Sequence, residues 1–153
     1  MNDTDELRYL IQCVQREGTK KFGALLKKEL DITPSQSEVI MVLSEYEPLS
    51  LVELGNLLLC ESKSPSRLVK RLVDRDAVFQ SQSIEDSRKI VLHLTKHGRS
   101  LVPKIREIEN LFNNEIEKNL SNIISIKELN SILSSQIINT DSEKKLLSRK
   151  LNH

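Results

Sequence analysis

A chain of 153 residues, 38% hydrophobic and 29% charged, has enough apolar side chains for one soluble globular domain with a core and too many for a disordered tract. No apolar run is long enough to cross a bilayer, and the opening MNDTDELRYL is acidic where a secretory leader is basic and then apolar, so a cytoplasmic protein with no membrane partner is expected. Net charge is +1, yet residues 62–99 hold nine cations against four anions, a local +5 that leaves −4 for the remainder.

The first helical period runs from about Asp3 to Glu29 and places Leu7, Leu10, Ile11, Val14, Phe22, Leu25 and Leu26 on one face. Asp3 with Glu6 has capping-box spacing at its start. Thr33-Pro34 opens a second helix that turns Val39, Ile40 and Leu43 inwards, runs to Tyr46 and stops at Glu47-Pro48. Ser50 with Glu53 caps a third, short and apolar, from Leu51 to about Leu58. A fourth is expected over Ser62 to Asp76, starting just before Pro65, because only a first-turn proline leaves the helical bonds intact. FQSQSIEDSRKIVLHLT then reads as a small hairpin with its tip near Ser83 to Ser87. After Thr95 a long helical period passes through Leu101, Ile105, Ile108, Phe112 and Ile116, and Pro103 inside it predicts a kink or a late start. Ser125 with Glu128 opens the last segment, along Leu129, Leu133, Ile137, Leu147 and Leu151, which Thr140 with Glu143 can restart midway.

Wound as a helix, the fourth segment gathers Pro65, Leu68, Val69, Leu72 and Val73 on one side. Lys63, Ser66, Arg67, Lys70, Arg71 and Asp74 fall on the other. The apolar stripe docks the helix on a core, and the opposite face is left with donors. Arg67 can grip guanine or a phosphate with two nitrogens, while Ser66 and Lys63 near the helix start can reach base edges or backbone oxygens. At the hairpin tip Asp86 and Arg88 stand two residues apart, on the same side of an extended strand. Arg88 suits a narrow minor groove, with Asp86 holding the guanidinium. A cationic helix face alone is usually solvated surface, and such a pair alone is usually a surface ion pair worth about 0–1 kcal/mol. Two short helices, the second cationic, followed at once by a hairpin make a winged helix-turn-helix. A basic centre of this kind meets phosphate, so double-stranded DNA is the expected partner.

The other chemistries are poorly represented. Cys13 and Cys60 have no CxxC spacing and are expected as free, largely buried thiols. His93, His97 and His153 share no helix turn and are expected as surface or packing groups, so no metal or cofactor is implied. There is no GxSxG, no glycine-rich phosphate loop and no HExxH, so catalytic residues and an enzyme are not expected. The competing reading is a winged helix used as a protein-interaction or architectural module without sequence-specific DNA binding. Cations on both the helix and the wing weigh against it.

Asp86, Arg88, Leu94, Thr95 and Gly98 spell the wing motif D-x-R-x5-L-T-x2-G, Thr33-Pro34-x-Gln36 opens the second helix and PLSLVEL the third. On these residues the chain from Ile32 to Arg99 resembles the MarR family of bacterial transcriptional regulators. The resemblance implies a mainly α (α+β) fold, with a winged helix-turn-helix core over 31–99. Dimerisation helices over 1–30 and 100–153 flank it, interlocked in a triangular homodimer with one winged helix per corner. It implies a recognition helix over Ser62 to Asp76 and a wing contact through Arg88, oriented by Asp86. The implied DNA-binding set is Lys63, Ser66, Arg67, Lys70, Arg71, Asp86 and Arg88. The implied function is a sequence-specific transcriptional regulator, a dimeric repressor of a pseudo-palindromic operator, with release by a small-molecule effector as an extension. Members commonly have glycine in the turn where Leu59-Cys60 stand here, and arginines at the end of the first wing strand where Gln80 and Ser81 stand. Cys13 lies about one turn beyond the reactive cysteine of peroxide-sensing members, and their tyrosine pair is not evident, so oxidation sensing is not expected.

Overall fold

Caps and prolines set most element boundaries in the computed structural model, which describes residues 1–59 and 64–150. The first helix, α1 (Asp3–Leu30), is capped by Asn2, whose side chain accepts the Asp5 N–H at 2.8 Å. This corrects the expected Asp3–Glu6 box. Asp3 is already helical and joins Asp5 and Glu6 in a first turn whose dipole favours acids. Asp31, at φ 54°, ends α1 in the left-handed region.

Helix α2 (Pro34–Tyr46) begins on a reciprocal cap. Gln36 N–H donates to the Thr33 hydroxyl, and the Thr33 N–H donates to the Gln36 side chain. The same device at Ser50 and Glu53 starts α3 (Leu51–Leu57). Helix α4 (Pro65–Asp74) is shorter than the expected Ser62–Asp76: Ser64 is the cap and Pro65 the first helical residue. Its far end closes when Asp76 turns left-handed at φ 55° and the Ala77 N–H reaches back to the Leu72 carbonyl at 2.9 Å. Ser62 and Lys63 lie outside the described residues.

The wing is an antiparallel pair, β1 (Val78–Gln82) and β2 (Ile90–Leu94), in register from Val78 opposite Leu94 to Gln82 opposite Ile90. Leu49 adds a one-residue third rung, its backbone exchanging bonds of 2.7 and 3.4 Å with Leu92. A single bridge carries no periodicity, so it leaves no signature in the sequence. Helix α5 (Lys96–Leu120) starts directly after Thr95 and runs through Pro103, so the late start does not occur. Its cap and its buried face of Gly98, Leu101, Ile105 and Ile108 lie on both sides of the proline, and packing overrides the local preference. Helices α6 (Ile126–Ser135) and α7 (Asp141–Lys150) follow, with Asn139 left-handed between them and Thr140 accepting the Glu143 N–H.

The core centres on α2, whose Val39, Ile40 and Leu43 are wholly buried. Leu26, Leu54, Leu72, Leu92 and Ile105 close on it from α1, α3, α4, β2 and α5. The apolar face of α1 divides in two: Phe22, Leu25 and Leu26 join the core, whereas Leu7, Leu10, Ile11 and Val14 remain 48–71% exposed. Leu111, Ile123, Ile132 and Leu147 are exposed in the same way on and between the later helices.

Gly98 is the tightest point in this packing. A Cβ there would lie 2.0 Å from the Ala77 carbonyl oxygen, whereas one on Gly55 would meet only the Pro65 ring at 3.8 Å. Gly98→Ala is therefore expected to destabilise the protein by about 1–3 kcal/mol, since backbone must move. Gly55→Ala, inside α3, should be neutral or stabilising by up to about 1 kcal/mol. Denaturant unfolding of the two variants checks the contrast.

Candidate nucleic-acid interface

Helix α4 sorts its residues as its amphipathic pattern requires. Leu68, Val69 and Leu72 are buried against α2, α3 and β1, and Ser66, Arg67, Lys70 and Arg71 face solvent. Ser64 accepts the Arg67 N–H and its hydroxyl lies 3.0 Å from that of Ser66. Arg67, Lys70 and Arg71 form no ion pair among the described residues, so the helix presents three uncommitted cations along its exposed face.

Other cations counted in the basic centre are committed inside the protein. Arg75 donates to the Asp31 carbonyl at 2.6 Å and to its carboxylate at 3.1 Å, tying the end of α4 to the end of α1. The Lys27 ammonium, hydrogen-bonded to Asp31, and then Arg75 hold that carboxyl below the usual range. Arg99 pairs with Glu47. A count along the sequence cannot separate these arginines from free ones, because their carboxylates lie far away in the chain.

At the wing tip the sequence reading is right about the partners and wrong about the backbone. Asp86 and Arg88 do not share a strand face. They stand in the turn between the strands, where Asp86 Oδ1 accepts the Arg88 N–H at 3.0 Å and its Nε–H at 3.5 Å. A short acidic side chain closing on the backbone two residues ahead is an Asx turn, and it competes with strand pairing at this point. The Arg88 side chain is 91% exposed, so the guanidinium projects from the tip. The strand positions that carry Gln80 and Ser81 offer little to phosphate. Gln80 is exposed, and Ser81 is engaged with His93 Nε2 at 3.0 Å.

His93 also stacks on Phe79 with ring centroids 5.0 Å apart, which makes it a packing group as expected, and His97 is exposed. Between the wing and the start of α3 lies a cavity of about 630 Å³, lined by Pro48, Glu53, Phe79, Ile84, Lys89 and His93 among others. Lys89, which the sequence reading passed over, extends the basic surface of the wing; only its place beside Arg88 could have marked it. Cys13 is exposed on the outer part of α1, against the expected burial, because that part of the helix extends beyond the protomer's own core. Cys60 lies outside the described residues.

Residues 21–105 match the family described as transcriptional regulator SarA/Rot. The organic hydroperoxide resistance transcriptional regulator of Bacillus subtilis is 31% identical over 104 residues, 68% of this chain and 70% of that protein. The HTH-type transcriptional regulator SarZ of Staphylococcus aureus is 27% identical over 141 residues, 90% of this chain and 93% of that one. Among solved structures, the transcriptional regulator SlyA superposes with a TM-score of 0.75 at 19% identity, covering 94% of this chain and 99% of SlyA, a likeness of fold. With the helix-turn-helix, the wing and its motif in place, the chain belongs to the SarA/Rot family of MarR-like winged helix transcriptional regulators.

Proposed function

We propose that the protein is a homodimeric, sequence-specific DNA-binding repressor of the cytoplasm that sets α4 in the major groove and Arg88 in the adjacent minor groove. The observation that carries this reading is the exposed Arg67–Lys70–Arg71 face, free of ion pairs among the described residues, on the second helix of a helix-turn-helix whose wing ends in a projecting arginine. A protein-interaction module would have no use for cations on both. Residues 31–99 form the DNA-binding unit in this scheme, and 1–30 with 100–153 the dimerisation unit. The exposed leucines, isoleucines and valine of α1 and the later helices support that division, since a second copy would bury them. An effector that releases DNA has room in the cavity under the wing, where it would touch the wing and α3 at once.

Selection from a random duplex pool tests the reading. The expected product is a pseudo-palindrome with half-sites about one helical turn apart, bound less tightly as salt rises. A monomer in sedimentation at micromolar concentration, or a flat salt response, overturns it. Arg67→Ala should cost about 1–3 kcal/mol of binding and relax base preference, whereas Lys70→Ala should weaken all sequences about equally.

Arg88→Ala is expected to lower DNA affinity about ten-fold or more, because a guanidinium in a narrow minor groove works in strongly negative potential. The melting temperature should barely move, since the pair is exposed. Asp86→Ala should do the same to a smaller degree, and the double variant should match Arg88→Ala rather than the sum of the two losses. Titration of the four proteins against one duplex at fixed salt decides it.

A second reading attaches to Cys13. The thiol is exposed, an Arg16 nitrogen lies 3.9 Å from its sulfur, and a relative is named for organic hydroperoxide resistance. Access and a cationic neighbour are what reactive cysteines share. In this reading the sulfur attacks the hydroperoxide, the O–O bond breaks, sulfur keeps one oxygen as sulfenic acid and the alcohol leaves with the other. Treatment with an organic hydroperoxide should weaken DNA binding by the wild type and leave Cys13→Ser unaffected. An equal response from Cys13→Ser removes the thiol from the mechanism.

A further inference from the structure

Where α3 ends, three parts of the chain meet at one carboxylate. Glu38, on the middle of α2, accepts the Leu59 N–H at 2.7 Å and an Arg149 guanidinium N–H at 2.6 Å, both on Oε1. The second donor comes from the last turn of α7. Arg149 also donates its Nε–H to the Leu57 carbonyl at 2.8 Å, and the Tyr46 hydroxyl donates to the Arg149 carbonyl at 3.4 Å. The Glu38 and Arg149 side chains are only 14% and 26% exposed.

The bonds to Leu57 and Leu59 serve the end of α3, and the other two hold Arg149 in place. Leu57 is the last residue of that helix, and its carbonyl is one of the acceptors a helix leaves without an internal partner. A guanidinium there both supplies the missing donor and opposes the negative end of the helix dipole. Leu58 then leaves the helix with extended backbone while its side chain is buried, and Leu59 follows it on the way to Ser64, the cap of α4. The carboxylate of Glu38 fixes the Leu59 N–H, and the charge of Arg149 lets that carboxylate sit largely out of water. The chain leaving the first helix of the helix-turn-helix is therefore held by a side chain from the C-terminal helix.

We propose that Arg149 and Glu38 are positioning residues for DNA recognition, through which α7 sets the entrance of the α3–α4 turn and with it the pose of α4 on the duplex. This rests on α4 being the recognition helix. Neither residue touches DNA in the scheme; they act through Leu57 and Leu59. Because α7 belongs to the proposed dimerisation unit, a shift of that unit reaches α4 by this route.

The test uses the full-length dimer and the duplex that the wild type selects from a random pool. Arg149→Gln should lower affinity about ten-fold, the size of effect that a coupling residue outside the contact surface can have. The slope of affinity against salt should not change, because no phosphate contact is lost. Exchange of the Leu59 amide hydrogen should quicken, and the dimer should persist. Glu38→Gln should behave alike, and the double variant should match either single one, as expected for one unit. Arg149→Lys keeps the charge without the two-pronged reach and should fall between wild type and Arg149→Gln; it carries the test if Arg149→Gln does not fold. Affinity within about two-fold of wild type, additive losses, or a shallower salt slope would each overturn the proposal, the last by making Arg149 a phosphate contact. A wild type that selects no duplex would instead sink the DNA-binding reading itself.

Discussion

The second helix of the helix-turn-helix and its wing hang on a clasp at the root of the wing. Asp76 and Ala77 leave the end of α4, Thr95 and Gly98 begin α5, and the two pieces of chain lie against each other. The Ala77 carbonyl accepts the Thr95 N–H at 3.1 Å, and the Thr95 hydroxyl donates to the Asp76 carbonyl while accepting the Gly98 N–H. Only a residue without a Cβ lets α5 come this close. Next to the clasp, buried Leu94 gives its N–H to Glu47, which pairs in turn with Arg99. One short stretch thus joins the end of α4, both wing strands and the long helix α5.

That clasp divides the wing motif by role. Its second half, Leu94, Thr95 and Gly98, is architecture: a core side chain, a helix cap and a close approach. Its first half, Asp86 and Arg88, stands at the open tip, where the described bonds are local and exposed. The strands between transmit the position of the root to the tip. Substitutions at the root therefore act on stability, whereas in the proposed scheme those at the exposed tip act on affinity.

Most boundaries were legible because they are chemically local. Thr33-Pro34, Ser50 with Glu53 and Ser125 with Glu128 each satisfy backbone donors within one turn, and the helices begin where those residues stand. The misses are of two kinds, close local alternatives and pairings distant in the chain. Asn2 rather than Asp3 caps α1, a choice between adjacent residues of like chemistry. Pro103 leaves α5 unbroken because residues distant in sequence bury the face on either side of it. The Leu49 rung, the burial of Arg75 in α1's bonding and the joining of Glu38 to Arg149 are long-range pairings that periodicity does not report. Asp86 and Arg88 were paired correctly from their spacing, but spacing of two fits a strand face and an Asx turn equally well.

The charges show most clearly how fold becomes function. Residues of α2 and its end, Glu38, Glu45 and Glu47, take Arg149, Arg106 and Arg99 respectively, so the central helix holds α5 and α7 through its carboxylates. The Glu38 and Glu47 side chains are 14% and 12% exposed, and a carboxylate that far from water needs its cation, since removing one partner leaves a buried charge. Asp31 likewise takes Arg75 from α4. These pairings consume the cations that face inward or backward. Arg67, Lys70 and Arg71 are what remains on α4, exposed and without a carboxylate among the described residues. In water they lose little by standing unpaired, but three like charges on adjacent turns repel one another, and Asp74, the one acidic residue of α4, makes no ion pair among the described residues that would relieve that. A phosphate backbone does, and it releases its own condensed counterions in doing so. The fold thus turns a diffuse excess of positive charge in the sequence into one exposed face on α4, the face that the proposed function sets against DNA.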